Sequence, residues 1–135
     1  MISSRKIEDL EPQVAELCHR FIDAGKGHGI DILITSTYRD FESQAALYAQ
    51  GRTLPGKIVT NAAPGQSWHN WKRAFDFAPI VNGKIPWNDA KLFTKCGVIA
   101  ESVGLEWAGR WQNFRELAHC QFTNKRTLSS MKEKP

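Results

Sequence analysis

Cysteine is scarce in this chain of 135 residues: only Cys18, Cys96 and Cys120 occur. An odd count without a C-x-x-C spacing argues against a disulfide scaffold and against a structural zinc site closed by thiolates. Reduced, buried thiols are expected instead. Long apolar runs are missing too. No segment approaches the ~20 residues that a membrane-spanning helix requires. The opening residues Met1 to Asp9 hold no apolar core of a secretory leader. The expectation is a protein made and folded in a cytoplasm, without stable membrane insertion, and released by another agent if it acts outside. Repeats, low-complexity tracts and internal linkers are also absent. One domain over residues 1–122 is expected, followed by a polar, Lys-rich tail over 123–135 that reads as loose. Acidic excess is lacking: the net charge is +4 and the pI about 9.1. That balance suits anionic partners or plain solubility equally. No helix with clustered Lys or Arg is evident, which argues against nucleic acid as the partner.

Aromatic and helical signals are plentiful by contrast. Five Trp are many for this length; some are expected in the core and others along a groove. Ile7, Leu10, Val14, Leu17, Cys18, Phe21 and Ile22 recur at helical spacing, and Gly25, Gly27 and Gly29 are expected to end that helix. Asp31 to Tyr38 reads as a buried strand. Asp40 then caps a helix over Phe41 to Gln50, closed by Gly51. Residues 53–66 form a loop long enough to wall a groove. Asn82-Gly83 marks a hairpin turn, and Asn88 or Asp89 caps a helix that Gly104 closes. Leu105 to Trp107 is a short strand, residues 108–115 an irregular loop, and Leu117 to Phe122 a last strand.

The stretch from Ser67 to Pro79 carries the chemistry. Phe75 and Phe77 alternate with Ala74, Asp76 and Ala78, the period of a half-buried strand. Asp76 then shares its face with two alanines, which leaves room beside its carboxylate for a cation. His69 precedes it by seven residues, and His119 lies in the last strand. Together they make a set of two histidines and one carboxylate. Catalytic zinc takes such a set and leaves one position open; non-haem iron uses the same donors. Spacing alone is weak, because H-x6-D is not a specific pattern. Glu116, three residues before His119, is the candidate general base. In a regular strand it would face away from His119, so it must precede the strand. Arg39, at a strand-to-helix junction, can bind a substrate carboxylate or form a structural ion pair. His19 and His28 read as a surface side chain and a helix-end cation.

These residues resemble a known family. Ser67-x-His69-x-x-x-x-Ala74-x-Asp76 is similar to the S-x-H-x-x-G-x-A-x-D signature of zinc peptidases grouped with D-alanyl-D-alanine carboxypeptidases and phage L-alanyl-D-glutamate endopeptidases. Thr35 to Arg39 with Gln44, Leu47-Tyr48 and Gln50 to Thr53 resembles the family's arginine-bearing segment. Asp76 to Pro79, Asn82 to Ile85 and Trp87-Asn88-Asp89 resemble its phage endolysin branch. Leu105 to Gly109 with Trp111, and Glu116-x-x-His119-x-Gln121, resemble its final segment.

The resemblance implies a small α+β domain of the hedgehog/DD-peptidase type, with an antiparallel sheet bearing the metal. It implies one zinc per chain on His69, Asp76 and His119, and Glu116 as base. Arg39, Gln44, Ser67 and Trp111 would bind substrate. The substrate would be bacterial peptidoglycan, cut between L-Ala and D-Glu by a monomer. A phage or prophage endolysin without a leader would reach the wall through a holin-type release. Three positions depart from the pattern. Lys72 stands where Gly is usual, and at positive φ it would cost about 1 kcal/mol. Arg110 replaces an Asp near the cleft, and Glu116 replaces an Asp. A D,D-carboxypeptidase of the same fold is the nearest rival. A silent wall-binding module, its groove made anion-binding by Lys72 and Arg110, is the next; a nucleic-acid-binding domain ranks last.

Overall fold

The computed structural model describes residues 1–133. Four strands form one antiparallel sheet: β1 (Asp31–Ser36), β2 (Ala74–Ile80), β3 (Glu106–Trp107) and β4 (His119–Gln121), in the order β1-β2-β4-β3. Helices α1 (Pro12–Gly27) and α3 (Ala90–Ser102) pack on it, and α2 (Phe41–Ala49) and α4 (Leu128–Glu133) are the two shorter helices. This is the expected α+β arrangement.

Register decides what each face carries. Ile34 pairs with Phe77, Phe75 with Cys120, and Cys120 with Trp107. Side chains alternate across a strand, so these residues share one face. There they meet Val14, Cys18 and Phe21 of α1 and Phe93, Cys96 and Ile99 of α3 in one buried cluster. Phe21 stands edge-on to Phe77, with centroids 5.1 Å apart. Truncating Phe77 to Ala would cost about 3–5 kcal/mol. On the opposite face, Asp76 pairs with His119 and Ala74 with Gln121. A β-bulge between Ile34 and Ser36 brings Ser36 opposite Asp76 on the other side, re-aiming the end of β1 toward the same row.

Several expectations hold. Asp40 caps α2, its carboxylate accepting from the Ser43 N–H at 2.8 Å. Asp89 caps α3 by accepting from the Leu92 N–H. Asn82 and Gly83, with φ of 53° and 76°, turn a hairpin closed by two bonds between Val81 and Lys84. That hairpin is a single bridge long. All three thiols are free and buried, and burial pushes Cys18 up to about 12.

Others need correction. The first helix starts at Pro12, because a separate 3-10 turn over Ile7–Asp9 precedes it. Gly25 does not end α1; it lies buried in the last turn, against Ile32. Strand β2 is more buried than the half-buried reading: Phe75, Phe77 and Pro79 are buried on one face, and on the other buried Ala74 and Ala78 alternate with partly exposed Asp76 and Ile80. Residues 123–133 are not a loose tail. Leu128–Glu133 is helical and Met131 is 2% exposed, so even a polar segment finds one apolar anchor. Residues 134 and 135 of that expected tail lie outside the described residues.

Candidate metal centre and cleft

His69 enters the site on a 3-10 turn, Trp68–Trp71. Ser67 caps its start by accepting the His69 N–H, and Lys72 ends it in the left-handed conformation at φ 63°. A lysine thus holds a backbone conformation that suits glycine better. Its ammonium lies 4.9 Å from the centre of the Tyr38 ring, an attraction that offsets part of the strain. Buried Asn70 ties the turn down. Its amide donates to the Arg39 carbonyl at 2.9 Å, and its oxygen accepts from the Gly65 N–H.

Asp76 and His119 are cross-strand partners, so the sheet itself holds them side by side. The Asp76 Oδ1 lies 3.2 Å from His69 Nε2 and 3.1 Å from His119 Nδ1. The outer nitrogens decide the tautomers. His69 Nδ1 is 2.7 Å from the Thr37 carbonyl, and His119 Nε2 is 2.9 Å from Gln121 Oε1. Both oxygens only accept, so each outer nitrogen carries the proton. Three lone pairs then converge: His69 Nε2, His119 Nδ1 and Asp76 Oδ1. Nothing in that group donates. Either protons or one metal ion must satisfy it, and the donors lie within 4.8 Å of one another, so the group could hold a metal. Burial alone would raise the Asp76 pKa; when protons rather than a metal fill the group, hydrogen bonds and fields from both histidines take it well below the ordinary carboxylate range. For His119, burial opposes charge, but Asp76, Gln121 and Glu116 carry the pKa above its usual value. The donor set of oxygen and imidazole nitrogen fits zinc.

Glu116 precedes β4, as its candidacy required, and its Oε2 is 3.7 Å from His119 Nδ1. It is exposed and borders the cleft. Arg39 lines the same cleft. Its two terminal nitrogens reach Gln44 Oε1 at 3.0 Å and Ser36 Oγ at 3.4 Å, and its buried Nε has no partner. Among the described residues no carboxylate pairs with it. Burial lowers its pKa, while the fields of Asp76 and Glu116 oppose that. The structural ion pair that competed with carboxylate binding is therefore not made.

Ser67 and Trp111 line the cleft, Trp111 with its ring 5.6 Å from that of His119. Gln44 does not. It is fully buried behind Arg39, and its amide donates to the Ala62 carbonyl at 2.7 Å. With both ends engaged, it clamps Arg39 and the 53–66 loop rather than meeting a ligand. Arg110 also points elsewhere. It pairs with Glu101 on α3 through Nε and a terminal nitrogen at 3.0–3.2 Å. Lys72 and Arg110 are both outside the cleft lining, which removes the basis for an anion-binding groove. His28 ends α1 and His19 is exposed on it, both away from the group.

Comparison with known proteins shows the family and the fold. The VanY family, described as D-alanyl-D-alanine carboxypeptidase, matches residues 7–117. The chain belongs to this family. It is 37% identical over 122 residues to the peptidoglycan L-alanyl-D-glutamate endopeptidase CwlK of Bacillus subtilis (strain 168), covering 84% of this chain and 73% of that protein. It is 27% identical over 128 residues to the L-alanyl-D-glutamate peptidase of Listeria phage A118, covering 91% of this chain and 41% of the phage protein. The crystal structure of the Serratia marcescens L-Ala D-Glu endopeptidase ChiX shares the fold, with a TM-score of 0.67 and 14% identity over 90% of this chain and 89% of that one.

Within this VanY-family frame, sequence reading missed the part played by Thr37. A backbone carbonyl 32 residues from His69 leaves no mark in the sequence. Gln121 was on view two residues after His119 in the final motif, but only the fold shows it bonded to the ring.

Proposed function

We propose that this chain is a zinc peptidase that cuts the L-alanyl–D-glutamate bond in the stem peptides of peptidoglycan. The observation that carries the reading is the meeting of three undonated lone pairs at His69, Asp76 and His119. The named activities of the relatives support the substrate. Zinc bound to such a set supplies Lewis acidity and brings the pKa of water to about 7.

The chain's own residues do the rest. Glu116, exposed beside His119, takes the proton of the attacking water and passes it to the leaving amine. Arg39 receives the free α-carboxylate of D-Glu through nitrogens that no carboxylate holds. Gln44 fixes the plane of the guanidinium. Ser67 and Trp111 line the path, and loop 53–66 contributes Val59, Thr60 and Ala62 to the wall. Among the described residues no helix is long and apolar enough to cross a membrane. The reading extends to a monomer with one zinc, acting as a phage or prophage endolysin that reaches the wall through a holin-type opening.

Digestion of purified peptidoglycan, with the new termini identified by mass spectrometry, tests this. New N-terminal D-Glu is expected. Released D-Ala would instead make the chain a D,D-carboxypeptidase, the activity in the family's description. Wall binding without cleavage would make it a silent module. Glu116→Gln should keep the zinc and lose hydrolysis, and substantial residual turnover would remove Glu116 as the base.

A further inference from the structure

The metal group borders two clefts of unlike character. The first, about 230 Å³, holds Arg39, Gln66, Ser67 and Trp111. The second, about 360 Å³, is lined by Trp87, Phe93, Leu117 and Ala118. Asp76, Glu116 and His119 belong to both. Among the described residues the second cleft has no Lys or Arg in its lining, and apart from the shared residues that lining is apolar.

Trp87 is its most unusual member. It is 62% exposed, a costly placement for an indole. It is nevertheless fixed. One face stacks on Phe93, with centroids 5.8 Å apart and planes 20° from parallel. Phe93 is itself 3% exposed, anchored on α3. The backbone around Trp87 is turned by bonds from the Trp87 N–H to Ile85 and from the Asp89 N–H to Pro86. The result is an aromatic plate, backed by Phe93, on the same cleft as the candidate base.

We infer that this second cleft receives the glycan-bearing half of the substrate, with Trp87 as a stacking platform for the N-acetylmuramoyl unit. The inference rests on the endopeptidase reading above. A bond held at the metal group sends its two halves in two directions. The amine half is D-Glu, whose α-carboxylate matches Arg39 in the first cleft. The acyl half is L-Ala, whose nitrogen is acylated by the lactyl arm of the muramoyl sugar. That half has no free carboxylate and needs no cation. The L-Ala side chain is a single methyl group, far smaller than the space available. The apolar face of a pyranose ring complements an indole plate, with its polar groups left at the rim.

The test compares two substrates with the same scissile bond, a muramoyl-peptide and the free stem peptide without sugar. Wild-type protein should favour the muramoyl-peptide. Trp87→Ala should lower kcat/KM on that substrate about ten-fold, mainly through KM, as expected for loss of remote binding. On the free peptide it should stay within about two-fold of wild type. Trp87→Phe should recover most of the difference. Equal losses on both substrates, or no loss on either, would overturn the assignment while leaving the endopeptidase reading intact. If wild-type protein cleaves neither substrate, the endopeptidase reading itself fails.

Discussion

Gln121 determines which nitrogen of His119 faces Asp76, because its oxygen can only accept the Nε2 proton. Gln121→Leu leaves that buried N–H without a partner and the ring free to change tautomer. Zinc affinity should fall about 10–100-fold, the usual effect of removing such a partner. Gln121→Glu, which keeps an acceptor, should retain most of it. Competition with a chromophoric chelator measures both, and an unchanged affinity in Gln121→Leu would show that the bond does not orient the ligand. Lys72 poses a different single-residue question. Its φ of 63° is unfavourable for a lysine, at about 1 kcal/mol. The contact with Tyr38 returns ~0.5–1 kcal/mol. Lys72→Gly should therefore stay within about 1 kcal/mol of wild type in urea unfolding, since relief of strain and loss of the contact oppose each other. Lys72→Val, β-branched at positive φ, should lose about 1–2 kcal/mol.

At the scale of elements, the closest fit is between α3, β3 and the turn that follows. The Trp107 indole lies between Gly97 of α3 and Gly109, and a β-carbon at either position would overlap the ring. Its N–H donates to the Leu117 carbonyl at 2.9 Å, so the indole cannot simply turn aside. Gly97→Ala should destabilise by up to about 3 kcal/mol, the upper range for overpacking, despite alanine's better helix propensity. Gly27→Ala, at the end of α1 with open space around it, should instead gain up to about 1 kcal/mol. Urea unfolding of the pair checks this, and equal effects would mean that packing at Trp107 is slack. The contrast also marks what a sequence shows. Asp40, Asp89 and Asn82-Gly83 announced their elements because caps and turns depend on neighbours a few residues away. The alternation from Ala74 to Ala78 was readable for the same reason. Trp107 against Gly97 was not, because the contact crosses between elements and either glycine alone reads as a helix or loop residue. Nor was α4, whose short polar sequence has no periodic stripe and one buried methionine.

Across the whole molecule, the candidate metal group joins three separate segments. His69 comes from a turn, Asp76 from β2 and His119 from β4, and only the folded chain assembles them. The sequence proposed these three as one set, helped by a motif order spread along most of the chain, and the fold brings them within 4.8 Å of one another; the protons they hold were not legible. Without metal, stability should follow those protons. Asp76 has a depressed pKa in the fold. Its contribution is present above the unfolded value of about 3.9 and is lost as pH falls through the lower folded value. His119 has a raised pKa. Its contribution is complete below about 6.5 and is lost as pH rises through the higher folded value. The metal-free protein should therefore be most stable between about pH 4 and pH 6.5. Zinc binds in place of these protons, so its stabilisation should grow with pH. At a free concentration 100 times Kd it adds about 2.7 kcal/mol. Thermal melts in chelator and in zinc, at about pH 5 and about pH 8, measure the increment directly. The larger increment belongs at the higher pH. Equal increments would mean that zinc displaces no proton from His119, and that the lone pairs meet some other way than the fold presents them.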